Sequence, residues 1–207
     1  MESSDQLFQR LLNDLSPALR KQGFRRKSQN FVMESAECWG IINFQKSLYS
    51  RAGQKNFTVN LAIAAKRILR FYGEPINEPP RYYASHWEIR IGQLIPGRLD
   101  RWGILSDELS FHVVAPEVTK YLLQLAVPIV RDNLSEAGLL KLWDSNKPGR
   151  FEYPTLKFKS ILLAEQGELE KLPPIFDRIM EICRGGAAQE GAEEHIAQVK
   201  HRYLVVK

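Results

Sequence analysis

The feature that most constrains this chain is a change of hydrophobic period, from helical to alternating and back to helical. Leu7, Phe8, Leu11, Leu12 and Leu15 recur on one helical face, opened by Ser3 and Gln6 at capping-box spacing. Leu19 carries the stripe past Pro17, which predicts a kink or a break there. Gly23 is the natural stop, with Phe24 folding back on the helix. Arg20, Lys21, Arg25, Arg26 and Lys27 read as the end of that helix and the loop after it, where cations suit the helix dipole. The period then becomes two. Asn30–Glu34, Cys38–Lys46 and Phe57–Ala64 read as strands, joined by hairpins across Ser35–Glu37 and across the polar turn containing Ser50, Gly53 and Lys55.

Ala65–Tyr72 reads as a short helix, and Gly73–Arg81, with Pro75, Pro79 and Pro80, as a loop. His86–Gly92 is a further strand, with Trp87, Ile89 and Ile91 on one side and His86, Glu88 and Arg90 on the other. Trp102–Leu105 reads as a short edge strand. From Pro116, which suits a first helical position, the pattern stays helical. Val118, Tyr121, Leu122, Leu125 and Ile129 form a core stripe there, and Ser135 caps a helix ending near Trp143. Beyond a loop at Asn146–Tyr153, helices are expected around Thr155–Gln166, Glu168–Cys183 and Ala188–Tyr203, the first two as an antiparallel pair about Gly167. This order predicts an α+β fold: a small, mostly antiparallel sheet of about four to five strands, an N-terminal helix and a helical C-terminal half. Residues 1–145 are expected to form the α+β domain, with 146–207 as a helical extension packed on it as one unit.

Composition limits the function classes. The 207 residues are 44% hydrophobic and 26% charged, which supports a packed core and excludes a disordered chain. Cys38 and Cys183 have no metal-ligand spacing, and no signal-peptide pattern opens the chain at Met1–Leu7. Reduced thiols in a cytoplasm are therefore expected. The longest apolar run, Tyr121–Val130, contains Pro128 and is half the roughly 20 residues of a membrane span. The formal charge of +5 permits nucleic-acid contact without demanding it.

Phosphate-loop, dinucleotide, nucleophile-elbow and zinc-protease motifs are absent from the sequence. His195 and His201 are six apart and so face different ways on a helix, which leaves no metal site expected. The informative pattern is polar. If the strands pair as antiparallel neighbours, Asn43 and Gln45, Thr58 and Asn60, and His86, Glu88 and Arg90 gather on one sheet face. Amides with an imidazole, a carboxylate and a guanidinium suit directed binding of a polar ligand. The same set suits proton transfer by His86 or Glu88, although no nucleophile with a base partner is evident. Set against both readings, antiparallel sheets commonly wet one polar face or bury it under another layer. Aromatic and basic residues also interleave at Arg67–Tyr72, Arg81–Tyr83 and Trp87–Arg90, as on a base-stacking surface.

These segments resemble a known family. Gly23-Phe24-Arg25-Arg26-Lys27, Asn30-Phe31 and Ile42-Asn43-Phe44-Gln45-Lys46-Ser47 look like the opening of the bacterial domain of unknown function 4304. Phe57-Thr58-Val59-Asn60-Leu61, His86-Trp87-Glu88-Ile89-Arg90-Ile91-Gly92 and Asp100-Arg101-Trp102 resemble its later blocks, so the likeness covers about Leu7 to Arg131. It implies a bacterial cytosolic α+β domain, with Asn43, Gln45, Lys46, Asn60, His86, Arg90 and Gly92 at characteristic positions. It brings no activity, cofactor or catalytic residue. Two departures stand out. Gly103 occupies a position where members often carry an aromatic, and the helices after Asn146 lie beyond the likeness.

The expected function is a non-enzymatic binding or interaction module using the polar sheet face. Asn43, Gln45, Lys46, Asn60, His86, Glu88 and Arg90 are its candidate ligand-binding residues. No cofactor or metal is expected, and the partner is a protein or a small polar ligand rather than a membrane. The alternatives are an enzyme acting on a small polar or phosphorylated substrate, with Arg90 and Lys46 holding the anion and His86 moving the proton, and a single-stranded nucleic-acid binder.

Overall fold

A computed structural model describes residues 2–96, 103–145 and 151–204. The first helix, α1 (Ser4–Lys21), opens with the reciprocal Ser3/Gln6 capping box and buries Leu7, Phe8, Leu11, Leu12, Leu15 and Leu19. It runs through Pro17 as one helix, so the break expected there does not occur. Pro17 and Asn13 are both exposed, so the carbonyl that Pro17 leaves without a partner faces water. At the other end Gly23, at φ +91°, lets Phe24 N–H donate to the Leu19 carbonyl at 3.0 Å, which stops the helix and turns Phe24 into the core.

The sheet follows as β1 (Arg25–Lys27), β2 (Asn30–Glu34), β3 (Cys38–Lys46), β4 (Lys55–Ala65), β5 (Trp87–Arg90) and β6 (Gly103–Leu105). All described pairings are antiparallel. The order is β1-β2-β3-β4-β5, and β6 lies beyond β5 along the same edge of β4. β1 is a correction to the sequence reading, in which Arg25–Lys27 closed a helix and opened a loop. Its exposed basic side chains give no strand signal, and adjacency to β2 decides the matter. The helix α2 (Lys66–Phe71) leaves β4 directly. Asp100, Arg101, Trp102 and residues 146–150 lie outside the described residues.

One face of the sheet is dry. Phe31, Ile42, Phe44, Phe57, Val59, Leu61, Ile63, Trp87 and Ile89 share a buried cluster with the leucines of α1. The rings of Phe8, Phe44 and Phe57 meet at centroid distances of 5.5–6.5 Å. Each such side chain contributes about 1.5–3 kcal/mol by leaving water. Gly103 accounts for the departure noted at its position: a Cβ there would come within 2.5 Å of the Phe57 ring. Gly40 does similar duty on β3, where a Cβ would meet Val130 at 2.5 Å and Leu134 at 2.8 Å.

The next helix begins earlier than expected. α3 (Glu108–Tyr121) is capped by Asp107 and Ser110, and Pro116 lies inside it rather than at its start. A π turn (Leu122–Ala126) leads into α4 (Val127–Asp132), widening the helix just before Pro128, which has no N–H to donate. The rod Glu108–Asp132 spans 25 residues and is long and apolar enough to cross a membrane by length and composition, which corrects the shorter run read from sequence. Here it lies against the sheet and α1, burying Phe111, Leu122, Ala126, Val127 and Val130. The remaining helices are α5 (Glu136–Asp144), capped by Ser135, α6 (Glu152–Glu165), α7 (Leu172–Cys183) and α8 (Gln189–Tyr203). Ile161, Leu162, Leu172, Ile179 and Val199 from the last three join the same core as the sheet.

Candidate functional site

Register determines what the other sheet face carries. Asn30 stands opposite Asn43, Asn43 opposite Asn60, and Asn60 opposite Arg90, one polar row across four strands. Gln45 and Thr58 form the next row, and Val32, Ile41, Ala62 and Glu88 the row on the other side. The row is hydrogen-bonded as a ladder. Asn43 Nδ2 donates to Asn30 Oδ1 at 2.6 Å, and Asn60 Nδ2 donates to Asn43 Oδ1 at 3.1 Å and to Gln45 Oε1 at 3.0 Å. Asn43 and Asn60 are 3% and 4% exposed, so these bonds hold the amides in fixed orientations.

A groove of about 500 Å³ lies over one end of the ladder, lined by Gln45, Asn60, Tyr82, Tyr83, Glu88, Ile89, Arg90, Gln93 and Phe151. Gln45 and Asn60 come from adjacent central strands, and Glu88 and Arg90 from β5. Tyr82 and Tyr83 come from a 3₁₀ turn (Tyr82–Ala84) that follows the proline-rich loop. Tyr82 packs over Val32, Ile41 and Ala62, and its hydroxyl donates to Gln45 Oε1 at 2.9 Å. Burial pushes the Tyr82 phenol above its usual pKa, Glu88 adds to the shift and Arg90 opposes it. Tyr83 meets Tyr82 edge-on at 5.5 Å and accepts from Arg81 Nη1 at 2.5 Å. Gln93 Oε1 accepts the Arg90 backbone N–H at 3.1 Å.

The bonds already made leave a defined remainder. Gln45 Oε1 accepts twice, so its amide NH₂ is left for the groove, and Gln93 likewise retains its NH₂. Asn60 Nδ2 gives both hydrogens, leaving Oδ1, and Tyr82 gives its proton, leaving the lone pairs of its oxygen. Two neutral donors and two neutral acceptors therefore stand among aromatic rings, with Glu88 and Arg90 on one wall.

The sequence model of the family described as domain of unknown function 4304 (DUF4304) matches residues 15–132, more than half of the chain. The chain belongs to the DUF4304 family. No curated protein and no solved structure matches it. The DUF4304 segment supplies every groove residue except Phe151, which stands 88% exposed at the start of the helical extension.

Of the candidates read from sequence, Gln45, Asn60, Glu88 and Arg90 line the groove. Asn43 lies beneath it, with both ends of its amide engaged in the ladder. Lys46 is elsewhere. It pairs with Phe57 on the dry-face side of the strand, and its ammonium stands 3.7 Å from Asp5 and over the Phe8 ring. The expected joint grip of Arg90 and Lys46 on an anion is thereby corrected, because the two lie on opposite faces. His86 also departs from its expected role. It is 3% exposed, its Nδ1 accepts the Ala65 N–H at 2.9 Å, and its ring packs on Phe158 of α6 at 4.7 Å. A proton carrier needs access to a substrate, and His86 instead anchors α6 to the end of the sheet. Tyr82 and Tyr83 had a signal, as aromatics interleaved with Arg81. Gln93 and Phe151 had none, since a 3₁₀ turn and the start of α6, distant in sequence, bring them in.

One pair outside the groove has the outline of a nucleophile and its base. Ser160 Oγ lies 2.9 Å from His195 Nε2, with the residues 0% and 2% exposed. Ser160 Oγ also lies 2.8 Å from the Lys157 carbonyl, and with both residues buried no substrate reaches the hydroxyl. The pair ties α6 to α8. Among the described residues no cluster of three histidine, cysteine or acidic side chains could hold a metal ion.

Proposed function

We propose that this DUF4304 protein is a non-enzymatic binding module whose ligand seats in the groove over the amide ladder. The observation that carries the reading is the ladder itself. It fixes the orientation of buried amides and leaves the Gln45 and Gln93 donors and the Asn60 and Tyr82 acceptors turned to one aromatic-walled space. Preorganised groups of this kind bind with little ordering cost. The enzyme alternative loses support because His86 and the Ser160–His195 pair are both shut into packed interiors. We also propose a bacterial cytoplasm as its setting. Supporting this, Cys38 and Cys183 are buried and not disulfide-bonded, and burial pushes the Cys38 thiol up to about 12, which keeps it inert.

A thermal-shift screen of polar metabolites against wild type, Gln45→Ala and Tyr83→Ala tests the reading. A ligand that stabilises wild type and loses its effect in both variants supports it. A ligand that stabilises all three equally, or is turned over, contradicts it.

A further inference from the structure

We propose that the ligand of this groove is a nucleobase carrying phosphate, presented by a mononucleotide or by a single strand; the inference rests on the binding reading above. The remaining hydrogen-bonding groups are of mixed sense: amide donors on Gln45 and Gln93, and acceptors on Asn60 Oδ1 and the Tyr82 oxygen. A base edge alternates donors and acceptors in one plane, and asparagine and glutamine amides are its natural complements. A simple anion fits worse, because Asn60 Oδ1 and the Tyr82 oxygen would turn lone pairs toward it. An apolar ligand would leave all four groups without partners. Tyr82, Tyr83 and Phe151 put three aromatic rings in the lining, the kind of surface on which a base of any identity stacks. Positive charge flanks those rings. Arg81 sits beside the Tyr83 ring, its guanidinium 5.9 Å from the centroid, and Arg90 lines the opposite wall. A neutral sugar would share the amides and the rings but would make no use of the exposed Arg81 guanidinium, whereas a nucleotide brings a phosphate to it.

Calorimetric titration of the full chain tests this with the four ribonucleoside monophosphates, a short oligouridylate, ribose phosphate, glucose and glycine. Binding of at least one monophosphate or of the oligouridylate is expected, with ribose phosphate and glucose much weaker. Gln45→Ala and Tyr83→Ala should each weaken that binding by about tenfold. Gln93→Ala, at an exposed position, does the same without touching the ladder, which guards against a folding defect in the other two. Binding of the oligouridylate that falls steeply with salt, beside weak monophosphates, assigns the base to a strand; monophosphates binding as well as the strand assign it to a nucleotide. Ribose phosphate binding as tightly as the nucleotides overturns the inference, as does binding by none of the nucleotides. If glucose or glycine then binds in a Gln45-dependent way, the groove reading survives and only the ligand class fails. Nucleotide binding that all three variants leave intact overturns both.

Discussion

Asn43 gives each end of its amide to a different neighbouring strand, and that shows how single residues govern this molecule. Replacing it with leucine strands groups of Asn30 and Asn60 and should cost about 2 kcal/mol, read as a lower urea midpoint. Gly40→Ala should cost a similar amount, about 2 kcal/mol, because the new methyl meets Val130 and Leu134 of the overlying helical segment. Adding Val130→Ala should recover part of the loss, whereas a purely local backbone effect would not be recovered. His195 supplies a pH dependence. Burial, aided by the charge of Lys157, lowers its pKa to about 4, below the 6.5 of a solvated histidine. The unfolded chain therefore takes up the proton first as pH falls, and stability present above about 6.5 is lost toward 4. Phe71 of α2, Tyr72 just past it, and Ser160 and Lys157 of α6 face this ring, and only Lys157 among them carries charge. Urea midpoints at pH 7.5 and 5 should differ by about 2 kcal/mol more in wild type than in His195→Gln. Equal differences would remove His195 from the account.

At the scale of elements, the alternating period was legible wherever a strand had one dry face, as in Phe57–Ala64. It was not legible in Arg25–Lys27, where all three side chains are basic and pairing alone makes the strand. Pro116 misled because prolines favour helix starts. The better signal was the Asp107/Ser110 capping box upstream, whose serine at the third position looks unlike the usual Glu or Gln. In the site, alternation correctly grouped Asn43, Gln45, Asn60, Glu88 and Arg90. The same alternation put Lys46 on the other face, and only its place in the family-like block had drawn it in. His86 was hidden by Phe158, from an element no local pattern connects to it. A contact of this kind also joins α2, α5 and α6. Arg67 donates to Glu136 at 2.9 Å and to Glu165 at 3.4 Å, and burial raises the Glu136 pKa despite the guanidinium beside it. Arg67→Ala should destabilise the fold by about 2 kcal/mol, less than for a fully buried pair because the guanidinium is partly exposed. Arg67→Ala combined with Glu136→Gln should be closer to wild type than Arg67→Ala alone.

At the scale of the whole molecule, one core runs from Leu7 to Val199 and joins the DUF4304 segment to the helices beyond it. Heat should therefore unfold the chain in one transition by both near- and far-ultraviolet circular dichroism. A chain ending at Ser145 exposes the surface covered by Phe158, Ile161 and Leu162, and should lose its near-ultraviolet signal first. The amide ladder lies on the sheet face turned away from this core, and the function proposed for it rests on the groove above. The most direct test is a nitrogen–proton correlation spectrum of the side-chain amides, recorded while the four ribonucleoside monophosphates are added. The account predicts that the Gln45 and Gln93 NH₂ signals move in a saturable way while the buried Asn43 signal stays nearly fixed. Saturable shifts that leave Gln45 and Gln93 untouched and cluster on another surface would contradict it.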